Sequence, residues 1–88
     1  MTTPLAAADE AYEAAEAAFL GLVRTSADRA VLRLASAAVA EAARAWNSVA
    51  YESLHATSGP EREALDLLTE RTEVLAELWT DLASAYRV

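Results

Sequence analysis

Glu52 and His55 are the pair whose types and spacing come nearest to a chemical motif in this chain. Glu-x-x-His sets both side chains toward one side of a helical turn, and di-metal carboxylate bundles hold their metals with it. A complete centre needs further inward carboxylates and a second copy of the motif. His55 is the only histidine, so a di-metal site built on Glu52 and His55 requires a symmetric dimer. Helical phase points the other way. With Val39, Trp46 and Val49 on the core face, His55 projects outward and Glu52 lies near the edge. An exposed histidine close to a helix C-terminus, where its cation suits the dipole, is the simpler expectation. No metal ligand and no cofactor is therefore assigned.

Other catalytic arrangements lack parts. One histidine leaves little from which to assemble a nucleophilic triad. The chain has no cysteine, which removes thiolate chemistry and disulfides. Its two glycines, Gly21 and Gly59, lie too far apart for a phosphate-binding loop. Asp9, Glu10, Glu13 and Glu16 form one acidic run. Glu61, Glu63, Asp66, Glu70, Glu73, Glu77 and Asp81 form another. Both read as solvated helix faces. The expectation is a chain that is not an enzyme.

Charge narrows the partners. The formal net charge is −7, with 14 acidic residues against 7 basic ones. Nucleic acid and anionic membrane call for a basic face, so neither is expected. A basic protein is compatible. All the basic residues are arginine, and lysine, isoleucine and glutamine are absent, a bias that fits GC-rich coding. Met1-Thr2-Thr3-Pro4 carries neither the positive charge nor the leucine run of a secretory signal. No apolar run approaches the ~18 residues of a membrane span. The expected location is cytoplasmic.

Any surface must be presented by helices, because steps of three and four recur along three segments. Leu5, Ala8, Tyr12, Ala15, Phe19 and Leu22 form the first stripe. Leu32, Ala35, Val39, Ala42, Trp46 and Val49 form the second. Leu65, Leu68, Thr72, Leu75, Trp79, Leu82 and Tyr86 form the third. Such stripes face other helices. Thr3 and Pro4 start the first helix, which ends near Arg24. The repeat slips phase between Leu22 and Leu32, so Thr25-Ser26-Ala27-Asp28 is expected to be a turn, with Thr25 or Ser26 capping the next helix. Ser58-Gly59-Pro60-Glu61 is a second break. Ser58 and Glu61 have capping-box spacing there, and Arg87 supplies a cation at the far end. Arg62–Asp66 is expected to pair locally. The predicted fold is all-α, an antiparallel up-down-up three-helix bundle over residues 4–24, 27–56 and 60–87. It forms one domain, about 30–40 Å long at ~1.5 Å per residue, able to dimerise into a larger helical bundle.

Apolar residues left off the stripes point to a docking surface. Leu67, Val74 and Leu78 lie a third of a turn from the third stripe, Leu20 lies off the first, and Leu34, Tyr51 and Leu54 lie off the second. Arg44, Tyr51, Leu54, Leu67, Val74 and Leu78 are the expected partner-binding residues. The function expected is a non-enzymatic helical protein–protein interaction module that associates with itself. The alternative is an acidic inhibitor or adaptor (an antitoxin, immunity protein or secretion chaperone) for a basic partner.

Trp46-Asn47-Ser48, in a short alanine-rich chain without a signal peptide, resembles the WXG100 secreted proteins. That resemblance implies a two-helix hairpin with Trp-x-Gly in its turn. Here Ser48 stands in place of the glycine, and the tripeptide reads as the middle of a helix.

Overall fold

A computed structural model describes residues 3–25 and 27–86. They form three helices: α1 Pro4–Arg24, α2 Arg29–Ala56 and α3 Pro60–Ala85. α2 is central and packs along both neighbours. The expected all-α, up-down-up three-helix bundle is what the chain adopts. Tyr12 meets Trp46 across α1 and α2, Asn47 meets Thr69 and Thr72 across α2 and α3, and Phe19 meets Tyr86 across α1 and α3.

The helix ends follow local chemistry. Thr3 caps α1, its Oγ1 accepting from the Ala6 amide at 3.1 Å, and Pro4 occupies the first helical position. Pro there gives up only an N–H that has no helical partner. At the first turn the expected boundary shifts. Thr25 closes α1 instead of capping α2: its hydroxyl donates to the Leu22 carbonyl at 3.0 Å. α2 starts at Arg29 with Asp28 as its N-cap, two residues later than expected. Ser26, the other candidate cap, lies outside the described residues, as do Met1, Thr2 and Arg87. At the second turn no capping box forms. Gly59, at φ +85°, is the N-cap of α3, and no side-chain cap bond is made. A left-handed φ of that kind is what glycine tolerates and other residues resist. α3 ends at Ala85, with Tyr86 as its C-cap.

The core follows the three stripes. Tyr12, Phe19, Val39, Trp46 and Trp79 are buried, with Leu5, Ala8, Ala15, Leu32, Ala35, Ala42, Leu68, Leu75, Leu82 and Tyr86 packed against them. α2 buries more than one stripe. Ser36, Ala40, Ala43, Ala50 and Leu54 are also buried, since a central helix must cover two neighbours. The molecule measures 47 × 28 × 15 Å. A closed triangle of helices would be about as deep as it is wide. Instead the helices fan out. Among the described residues no Cα of α1 comes within 8 Å of one in α3.

Candidate interaction surface

The fan opens unevenly. At one end, large side chains bridge α1 and α3. The Phe19 and Trp79 rings meet edge to face at 5.1 Å, and Phe19 and Tyr86 lie 6.3 Å apart. Trp79 Nε1 donates to the Tyr12 hydroxyl at 2.9 Å, and that hydroxyl donates to Glu16 Oε2 at 3.0 Å. Beyond Tyr12, toward the N-terminal ends of both helices, α1 offers Leu5 and Ala8 on its stripe. Those side chains lack the bulk to reach α3. A groove of about 570 Å³ results. Leu5, Ala6, Asp9, Glu13 and Glu16 line one wall, and Leu68, Arg71 and Leu75 line the other, with Tyr12 and Trp46 between.

The two walls differ in character. Asp9, Glu13 and Glu16 follow steps of four and three, so they form one row along α1. Leu68 and Leu75, one heptad apart, form an apolar row along α3, with Arg71 beside them. Three carboxylates face one guanidinium. Burial pushes the Tyr12 phenol above the ordinary tyrosine range, and the Glu16 charge adds to that. The hydrogen bond from Trp79 and the Arg71 charge pull it back only in part. Tyr12 is therefore a hydrogen-bonding hub that accepts from Trp79 and donates to Glu16. Trp46, 5% exposed, keeps its indole Nε1 buried without a hydrogen-bond partner among the described residues.

The apolar wall continues outward. Arg71 and Leu75 also line a shallow depression with Leu67, Glu70 and Val74 on the outer side of α3. There Leu67 and Val74 are each 63% exposed and Leu78 is 58% exposed. Leu67 and Val74 thus lie at the lip of the groove, and Leu78 continues their stripe along α3.

The other expected residues separate from them. Tyr51 is exposed, with its ring 4.7 Å from that of His55. Leu54, expected on the docking surface, is buried and takes no part in it. Leu54 belongs to the second buried row of α2. Arg44 reaches across to α3, where its Nη1 donates to Thr80 Oγ1 at 2.8 Å. Glu52 and His55 are both exposed. Among the described residues no group of three or more His, Asp or Glu side chains is arranged to hold a metal. Trp46-Asn47-Ser48 lies in the middle of α2, away from both turns. Among the described residues no helix is long and apolar enough to cross a membrane. Comparison with known proteins gave no match to a family model, a curated protein or a solved structure.

The groove itself was not foreseen. Asp9, Glu13 and Glu16 read as a solvated face and Trp46 as core filler. One signal could have found it: ahead of Tyr12 the stripe of α1 offers only Leu5 and Ala8, which supply little bulk to close against a third helix.

Proposed function

We propose that this chain is a non-enzymatic helical interaction module that pairs with a second copy through the outer face of α3. The observation that carries this reading is the exposed Leu67–Val74–Leu78 stripe. Single exposed apolar residues are ordinary, whereas Leu67, Val74 and Leu78 on one helical stripe, beside half-buried Leu75, form an apolar patch. A chain of 88 residues buries a modest core. Pooling helix faces between copies covers the patch and enlarges that core.

Sedimentation equilibrium at micromolar concentration tests the reading. The wild-type chain is expected at twice the monomer mass. The triple variant Leu67→Ser/Val74→Ser/Leu78→Ser is expected at monomer mass with an unchanged helical spectrum. Because each copy carries −7, added salt screens their repulsion and should tighten the dimer. A fully folded wild-type monomer under these conditions removes the proposal.

A further inference from the structure

The groove between α1 and α3 presents an apolar row on one wall, an acidic row on the other, and an indole and a phenol between them. We infer that it receives a basic amphipathic helix from another protein. The inference concerns a different surface from the outer stripe of α3 and does not require the chain to dimerise.

Shape indicates a helix. The two walls belong to helices that run parallel, and each row of lining residues spans about two turns, roughly 10 Å at ~1.5 Å per residue. A rod laid between α1 and α3, across from α2, completes a four-helix arrangement of the kind bundles favour. Its apolar residues, at steps of three and four, would cover Leu5, Leu68 and Leu75, while lysines or arginines beside them would face Asp9, Glu13 and Glu16.

Charge selects the partner. The groove sets three carboxylates against Arg71 alone. A second copy is poorly suited to this wall, since it brings a net charge of −7. It also has few cations to offer: Arg29, Arg44 and Arg62 are engaged on carbonyls and a hydroxyl within the chain. A foreign helix with a basic flank satisfies the acidic row and is drawn toward it before contact.

The probe is a Trp-free peptide of about 15 residues, built from Leu, Ala and Lys, with leucines on one helical face and lysines flanking them. It is titrated into the full chain and followed by backbone amide and indole NMR signals. Shifts are expected at Leu5–Glu16, at Leu68–Leu75 and at the Trp46 indole, and binding should weaken as salt is raised. Neutralising the row with Asp9→Asn/Glu13→Gln/Glu16→Gln should weaken binding at least about tenfold, or roughly 1.4 kcal/mol. Removing the same charge elsewhere with Glu10→Gln/Glu41→Gln/Glu52→Gln should change it less than about twofold. Arg71→Glu removes the one opposing cation and should tighten binding several-fold, a gain that misfolding could not produce. Equal losses in both triple variants, shifts centred away from the groove, or no binding by the wild-type chain would overturn the inference. The self-association proposal is judged separately by molecular mass, and its salt dependence has the opposite sign.

Discussion

The two seams of this bundle are held in different ways. The α2–α3 seam is crossed by polar contacts along its length. Asn47 Nδ2 donates to the Thr69 carbonyl and to Thr72 Oγ1, both at 2.9 Å. Arg44 reaches Thr80. The ends are tied reciprocally. Arg29, in the first turn of α2, donates to the carbonyls of Ala85 at 2.8 Å and Tyr86 at 3.3 Å, at the end of α3. Arg62, in the first turn of α3, donates to the carbonyls of Leu54 and Thr57 at 3.2 Å, at the end of α2. Each guanidinium satisfies carbonyls that a helix end leaves without partners, and each sits at the negative pole of the other helix. α1 is attached otherwise. Among the described residues its one side-chain hydrogen bond to another helix runs between Trp79 and Tyr12, and the rest is apolar and aromatic packing. Directional contacts fix the register of α2 against α3. Beyond the Tyr12–Trp79 contact α1 diverges from α3, and the groove lies where it does.

The strongest way to test this contrast is to remove the aromatic contact that joins α1 to α3. Phe19 is 5% exposed and touches both Trp79 and Tyr86. Phe19→Ala should cost about 3–5 kcal/mol, the usual range for a buried phenylalanine, measured by urea unfolding. Hydrogen exchange should show α1 amides losing protection ahead of those in α2 and α3. Equal loss in all three helices would mean that the seams are not energetically distinct.

A smaller effect is expected in the polar seam. Asn47→Ala removes two hydrogen bonds at a half-buried site and leaves the fully buried Thr72 hydroxyl with the Thr69 carbonyl as its partner. The expected cost is about 1–2 kcal/mol. Protection should fall in α2 and α3 together, a pattern opposite to that of Phe19→Ala. A loss confined to α1 would reverse the assignment of the seams.

Much of this organisation was legible from residue spacing, and what was missed has identifiable causes. The three stripes predicted the buried aromatics because a step of three and four marks a helix face wherever the partner lies. Leu54 was misplaced because the reading gave α2 one face, whereas a central helix buries two. The roles of Arg29 and Arg62 were hidden because their acceptors are backbone carbonyls, which carry no sequence signature. For Arg62 the expectation was a local pair with Asp66, but its hydrogen bonds go to the end of α2. The groove was hidden for a related reason. Stripe positions tell which faces meet but not how far two helices splay, and the splay between α1 and α3 depends on side-chain bulk summed over all three.

The smallest predicted change strengthens α1 without touching either seam. Gly21 lies within the last turns of α1, and a Cβ built there meets no atom within 4 Å. Its φ is not in the left-handed region, unlike that of Gly59. Alanine should therefore fit, and it gives up less backbone entropy on entering a helix, so Gly21→Ala should stabilise by about 0.5–1 kcal/mol. If α1 is the more weakly held element, the gain should appear as added hydrogen-exchange protection within α1. The amides of α2 and α3 should change less, because the polar contacts that tie those two helices to each other do not involve α1. Protection rising by the same amount in all three helices would show that α1 opens only when the whole bundle does. In that case, although its polar tie to the other helices is the Trp79–Tyr12 hydrogen bond, it would be as firmly held as the hairpin it packs on.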